Sequence, residues 1–321
     1  MDHEPVLADR VTQLLVPALE HGGVFVDATL GRAGHAAKVL QEAPRASLVG
    51  IDRDPVALEA SRAHLEPFAD RVRLARGNFS ELASVLERLG ITSVRGVLLD
   101  LGVSSPQLDD PQRGFSFRSP GPLDMRMDPL RPVSADTVVN TYDEARLADV
   151  IQRYGEERFA RRIARAVVRA RPIADTAALA EIVKEAIPAA TRRSGPHPAR
   201  RTFQAIRIEV NDELRSLEAV LPNAIDAMEP GGRIAVLAYH SLEDRIVKRF
   251  FVDQASGCVC PPSFPVCNCG AEARVRILTR RPIKPGAEEI ESNPRASAAK
   301  LRAAERVEPV AVTPFDAKRT A

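Results

Sequence analysis

Val26-Asp27-Ala28-Thr29-Leu30-Gly31-Arg32-Ala33-Gly34-His35 reads as an apolar strand that ends in an acid and turns through small residues into a helix. A second apolar strand, Leu48-Val49-Gly50-Ile51, ends in Asp52. A carboxylate there, at the carboxyl edge of a parallel sheet, suits the two hydroxyls of a ribose. The pair points to a nucleoside-containing ligand, against the plainer alternative of a strand-helix turn that binds nothing.

The turn itself narrows the choice. A dinucleotide fingerprint needs glycines at G-x-G-x-x-G so that a pyrophosphate can approach the backbone and rest on the helix N-terminus. The first two glycine positions do not fit here, and Asp27 would repel a pyrophosphate while suiting a cationic amine, directly or through water. S-adenosylmethionine has such an amine, a positive sulfonium and no phosphate. A nicotinamide-dependent oxidoreductase is disfavoured on the same grounds.

Working outward, strands are expected near 24–30, 47–52, 71–76 and 94–100, with helices near 34–42, 55–66 and 80–89 between them. This alternation predicts an α/β fold with a mostly parallel, Rossmann-like sheet wound on both faces. Asp27, Asp52 and Asp100 then close successive strands on one edge, with Gly77-Asn78-Phe79 after the third. Past Asp100 the alternation stops. Residues 103–132 carry six prolines, which exclude a regular helix, and 134–201 read as helical and charged. One long amphipathic helix is expected from about Thr202 to Met228, then a Pro230-Gly231-Gly232 turn and a fifth strand over 234–238. A last strand near Val275–Leu278 is expected to pair within the preceding cysteine segment, with a polar tail beyond about Glu308. The predicted organisation is therefore a first part of the α/β domain over 1–104, a helical insertion over 105–204, a second part over 205–308 and a tail over 309–321.

Composition sets outer limits. Hydrophobic residues make up 45% and charged residues 27%, which excludes a disordered or fibrous chain. The net charge is only +2, so a polyanionic partner must be met by local basic patches. Arg158, Arg161, Arg162, Arg165 and Arg169 share one helical face, while Ile163, Ala166, Val167 and Ala170 lie on another. Arg192, Arg193, His197, Arg200 and Arg201 form a second basic cluster. A solvated charged surface and a phosphate-binding face both fit this pattern. The four cysteines are Cys258, Cys260, Cys267 and Cys269, two C-x-C pairs separated by six residues. A structural Zn²⁺ on the four and a set of free thiols are both open, because C-x-C is tighter than the usual zinc knuckle. No long apolar run and no basic-then-apolar leader is present, so a cytoplasmic location without membrane association is expected.

Short motifs along nearly the whole chain carry a family resemblance. They include His3-Glu4-Pro5-Val6-Leu7, the Asp27 to His35 turn, Ile51-Asp52-Arg53-Asp54 and Leu99 to Asp109. Arg113-Gly114-Phe115-Ser116-Phe117, Asp124 to Asp128, Tyr154-Gly155-Glu156-Glu157, Arg207 to Leu214, His240 to Arg245 and Asn293-Pro294-Arg295 complete the set. With these, the sequence resembles the bacterial small-subunit ribosomal RNA (cytosine-N4)-methyltransferases, the MraW/RsmH family. The resemblance implies a class I S-adenosylmethionine-dependent methyltransferase with a helical insertion. It further implies methyl transfer to the exocyclic amine of a cytidine in the decoding region, on ribosomal RNA or the assembled small subunit. Cofactor contacts are implied at Ala33, Gly34, His35, Asp52, Phe79, Asp100 and Gln107. The chain departs from the family pattern at Ala33, usually Gly, at Ala238-Tyr239, usually Ser-Phe, and at Ser297, usually Arg.

Methyl transfer is an in-line displacement, so the protein's task is to align the amine and exclude water. The Asp100 to Gln107 loop is expected to orient the amine, with Asp100 and Ser104 as candidates; the alternative is that Asp100 serves only the cofactor and Ser104 only the turn. His240 reads more simply as a hydrogen-bonded structural residue. Phe115, Phe117 and Tyr154 are candidates for stacking on an extruded base, although the two phenylalanines fit better as pins for the proline-rich loop. A catalytically inactive RNA-binding assembly factor on the same fold is the competing function.

Overall fold

A computed structural model describes residues 5–192, 197–256 and 272–311. The chain forms two compact units, one of residues Met1–Gly102 with Arg215–Ala321 and one of Val103–Leu214.

The α/β unit opens with α1 (Ala8–Leu19), a helix not anticipated from sequence, whose Val11, Leu15 and Leu19 are fully buried at helical spacing. There follow β1 (Gly23–Asp27), α2 (Gly34–Glu42), β2 (Ala46–Asp52), α3 (Pro55–His64), β3 (Val72–Arg76), α4 (Leu82–Arg88) and β4 (Val94–Asp100). Each strand has a local reason to stop. Asp54 caps α3, accepting from the Val56 N–H at 3.0 Å with Pro55 at the first helical position, and Asn78 caps the turn after β3 in the same way.

The helical unit contains α5 (Ser105–Asp109), α6 (Ala135–Thr141), α7 (Glu144–Gly155), α8 (Ala160–Arg169), α9 (Thr176–Ala186), the short α10 (Ala189–Arg192) and α11 (Arg200–Asn211). Apart from α5 and one 3-10 turn, residues 103–132 are irregular, as their prolines require. They are not loosely held. Phe115, Leu123, Met125 and Met127 enter the core of this unit, and buried Asn211 accepts from the Met127 N–H at 2.9 Å and donates to the Met125 carbonyl at 2.7 Å.

The single helix expected over 202–228 is two. Asp212 takes a left-handed conformation at φ 53° after α11, and α12 (Glu213–Ala227) starts beyond it. Asn and Asp adopt this conformation at low cost, and Asn211 is already committed to the 125–127 segment. The division between units accordingly falls at 214/215, where the sequence reading had placed it at 204/205. The first division falls at 102/103.

The α/β unit then continues with β5 (Met228–Ala238), α13 (Ser241–Ala255), β6 (Glu272–Ile277), α14 (Ala287–Ser292) and β7 (Lys300–Ala311). The expected Pro-Gly-Gly turn lies inside β5, as an irregularity between the Val94–Met228 and Gly96–Arg233 pairings. Strand β6 pairs with β7, antiparallel, and the cysteine segment, in which a partner was expected, lies outside the described residues together with the expected zinc site. The strand order is β3-β2-β1-β4-β5-β7-β6, parallel through β5, with β7 antiparallel to β5. One face of the sheet packs on α4, α12 and α13, and the other on α1 and α2. Asp244 at the start of α13 pairs with Lys300 at 3.0 Å and Arg302 at 2.6 Å, tying the antiparallel strand to the helix. Both cations hold its carboxyl below the usual carboxylate range, against the opposing effect of burial.

Candidate active site

In this topology β1 and β4 are adjacent at the centre of the sheet, and their acids share one edge. Asp27 is 2% exposed and accepts from the Thr29 N–H at 3.2 Å. Burial lifts its carboxyl to about 7; Asp100 and Asp52 push in the same direction, while His35 and the Thr29 N–H oppose. Thr29 turns its hydroxyl oxygen toward β4, accepting from the Asp100 N–H at 2.6 Å. Asp27, His35, Asp52 and Asp100 therefore form one electrostatic group.

The turns after β1 and β2 use their own backbone donors. The Gly31 N–H donates to Asp52 Oδ2 at 2.8 Å, the Asp54 N–H donates to Oδ1 at 2.8 Å, and the Ala33 N–H donates to the Leu30 carbonyl at 2.7 Å. A pyrophosphate would need such donors free. Here two of them fix the Asp52 carboxylate, and its remaining lone pairs stay available to hydroxyl donors. Burial raises the Asp52 carboxyl, opposed by those two N–H groups.

Ala33 precedes α2 in the left-handed region, at φ 65° and ψ 22°, and is fully buried. A Cβ on Gly34 would lie 2.5 Å from Pro5 Cγ, so the N-terminal segment closes over this turn only because position 34 has no side chain. His35 is buried, and neither ring nitrogen has a hydrogen-bond partner among the described residues. Its Nε2 lies 3.5 Å from Asp100 Oδ2. Buried polar atoms without partners beside an acid cluster fit a polar, cationic ligand better than an apolar one. Phe79 follows β3, largely buried, with the Arg53 guanidinium 5.8 Å from its ring centroid.

Asp100 is partly accessible, its side chain 27% exposed. Its Oδ1 accepts from the Tyr239 hydroxyl at 2.8 Å. Sequence reasoning missed Tyr239; the available signal was a hydroxyl-bearing aromatic immediately after β5, where the resembling motif carries Phe. Burial and the Asp100 charge hold its phenol well above the usual range. His240 is the N-cap of α13, accepting at Nδ1 from the Glu243 N–H at 3.3 Å, while Glu243 Oε2 accepts from the Tyr239 and His240 N–H groups at 2.7 and 3.2 Å. This is a capping box, a structural use of the histidine.

The other sequence-selected residues lie in the helical unit. Ser104 caps α5, its N–H donating to Gln107 Oε1 at 3.1 Å in a second capping box. Helix α8 begins at Ala160, so Arg158 precedes it and contacts the Phe159 ring and Thr191 instead of continuing the stripe. Ile163, Ala164 and Val167 are buried, and Arg161, Arg162, Arg165 and Arg169 are exposed. Arg165 pairs with Glu144 at 3.4 Å and Arg201 with Glu157 at 3.9 Å. Arg161, Arg162, Arg169 and Arg200 have no ion-pair partner among the described residues. Phe115 is buried in the core, and Phe117 stacks on His197 at 4.6 Å and packs edge-on against Phe203, so both rings serve packing.

Comparison with known proteins decides the family. The profile of the MraW methylase family matches residues 1–307. The chain belongs to this family. Among its relatives, the ribosomal RNA small subunit methyltransferase H of Heliobacterium mobile is 50% identical over 310 residues, covering 95% of this chain and 99% of that one. Proteins of the same name from Acidothermus cellulolyticus, at 53% identity over 95% of this chain and 94% of that one, and from Geobacter sulfurreducens, at 52% over 95% and 99%, are equally full-length matches. The methylase thus has the class I S-adenosylmethionine-dependent methyltransferase fold, and its acids lie at the ligand edge of that fold. No helix among the described residues is long and apolar enough to cross a membrane.

Proposed function

We propose that this methylase transfers a methyl group from S-adenosylmethionine to the exocyclic N4 of a cytidine in the decoding region of small-subunit ribosomal RNA. The observation that carries the reading is Asp100, the partly exposed acid at the end of β4, with one carboxylate oxygen held by Tyr239 and the other facing His35. The relatives' names and the acid-lined, phosphate-unfriendly turn support it.

Asp52 is assigned to the ribose, Phe79 to the adenine, and Ala33, Gly34, His35, Asp100 and Gln107 to the rest of the cofactor. When bound, S-adenosylmethionine supplies a methyl carbon activated by its sulfonium. Above about pH 7, where its carboxyl is ionised, Asp27 offers a negative charge to the cofactor's amine. Asp100 accepts a hydrogen bond from the N4 amine, drawing the lone pair out of conjugation with the ring, and takes up the proton released as the nitrogen–carbon bond forms and the methyl–sulfur bond breaks, its electron pair leaving with S-adenosylhomocysteine. Ser104, in the loop that follows, is assigned as a second acceptor. The exposed arginines of α8 and α11 bind RNA phosphates.

The test is transfer of radiolabelled methyl to small subunits lacking the modification, followed by digestion to nucleosides. N4-methylcytidine is the expected product. Tight cofactor binding without transfer to any RNA or subunit would replace this reading with that of an inactive assembly factor.

A further inference from the structure

A pocket of about 280 Å³ in the α/β unit lies where β5 meets α13, between the Lys284 loop and the segment that leads into β7. Among its lining residues are Tyr239, His240, Ser241, Lys284, Ser297 and Lys300. Among the described residues no carboxylate lines it, in a chain where acids and bases are nearly balanced. Two ammonium groups and two serine hydroxyls do.

The polar groups are not equivalent. Lys300 is paired with Asp244 at 3.0 Å, and that carboxylate is shared with Arg302 at 2.6 Å, which leaves the trio with a net positive charge. Lys284 is exposed and has neither an ion pair nor a hydrogen bond among the described residues. Ser241 is the first residue of α13, a fifteen-residue helix whose positive end therefore faces the same pocket. Tyr239 links the pocket to the site, since its hydroxyl donates to Asp100 at 2.8 Å. The pocket is thus one side chain removed from the acid assigned to the reacting amine.

We infer that this pocket is a phosphate subsite that takes a phosphodiester flanking the target nucleotide, with Lys284 as its free cation. The inference rests on the proposed RNA substrate and adds where its backbone is held. A compact ammonium on a flexible stem suits a tetrahedral phosphate as a point charge, and the lysine contributes affinity and placement without reading sequence.

The test compares the full-length wild-type protein with Lys284→Ala and Lys284→Arg, using equilibrium binding of unmodified small-subunit RNA across a potassium chloride series with S-adenosylhomocysteine present. Lys284→Ala is expected to weaken binding several-fold and to reduce the slope of log Kd against log salt by about 0.7 to 1, the signature of one lost phosphate contact. Lys284→Arg restores most of both, and cofactor affinity is unchanged in either variant. Inorganic phosphate, added as competitor at constant ionic strength, weakens RNA binding by the wild type and not by Lys284→Ala. RNA affinity and salt slope unchanged in Lys284→Ala would overturn the inference. So would a phosphate effect lost in the variant without any change in RNA binding, which would mark a site for free phosphate. Because the readout is binding, it decides the subsite even if the wild type methylates no cytidine, the result that would sink the proposed function instead.

Discussion

The Tyr239 hydroxyl donates a 2.8 Å hydrogen bond to Asp100 Oδ1, joining the end of β5 to the end of β4 above the ligand edge of the sheet. A hydrogen bond to a charged group contributes about 1.5 to 3 kcal/mol. Tyr239→Phe is expected to lower unfolding stability by that amount in the wild-type background and by much less in Asp100→Ala, where the acceptor is already gone. A double-mutant cycle by urea denaturation measures the coupling, and additive effects would show that the two side chains act independently.

In the proposed function the Asp100 charge localises the amine lone pair, and Asp100→Asn keeps the shape of the side chain while removing that charge. Loss of a positioned general base costs about 10²- to 10⁴-fold in rate. A fall in kcat of that size with nearly unchanged affinity for S-adenosylmethionine is expected from single-turnover kinetics and calorimetry. Equal losses in rate and cofactor affinity would assign Asp100 to the cofactor alone.

Asp27 predicts a pH dependence with a definite sign. Its folded-state value of about 7 lies above the ordinary 3.8, so the folded protein retains a proton that the unfolded chain has released between those values. Its contribution to stability is full below about pH 4, declines as pH rises, and is flat above 7. Asp27→Asn keeps the acceptor for Thr29 and cannot ionise. The stability difference between variant and wild type should therefore grow in favour of the variant from pH 4 to 7, measured by chemical denaturation. A difference independent of pH would mean that Asp27 is ionised in the folded state throughout.

β1, β2 and β4 were legible because each is a short apolar run closed by an acid, and β3 because it is followed by a turn with its own cap, information contained within about ten residues. Non-local elements were not. The break at Asp212 hides inside an amphipathic pattern, and its cause is the pairing of Asn211 with residues 125–127, far away in sequence. Strand β7 is rich in alanine and charge, and is held by two neighbouring strands and by Asp244 rather than by its own hydrophobicity. At the site, the acids were legible by position, whereas Tyr239 required knowing that β5 lies beside β4. His240, two residues beyond β5, was legible as a structural residue and caps α13.

Ala33 tests how much the departure from glycine matters. A left-handed conformation costs an alanine about 1 to 2 kcal/mol, while its fully buried methyl contributes about 0.8 kcal/mol. Glycine also loses more backbone freedom on folding, by about 0.5 to 1 kcal/mol. These terms nearly cancel, so Ala33→Gly is expected to leave stability within about 0.5 kcal/mol. Ala33→Val adds a β-branch at positive φ and volume in a closed site, and should destabilise by about 1 to 3 kcal/mol. Thermal and urea unfolding of the pair distinguish strain from packing, and a strongly stabilised Gly variant would show that the strain term dominates.

The arginines of the helical unit divide by partner, and the division predicts their effect on RNA. Arg165 is already paired with Glu144, so it offers less of its charge to a phosphate than an unpaired arginine does. Arg161 and Arg162 are exposed without an ion-pair partner among the described residues, and each offers a full charge to a phosphate. Replacing both by alanine should reduce the slope of log Kd against log salt for small-subunit RNA by about 1.4 to 2, with binding weakened most at low salt. Arg165→Ala should change it by distinctly less. The helix presents these side chains to solvent while Ile163, Ala164 and Val167 hold its other face, so folding and cofactor affinity should persist in all three variants. An unchanged slope in the double variant would show that RNA approaches a different face, and would return the α8 stripe to the status of a solvated surface.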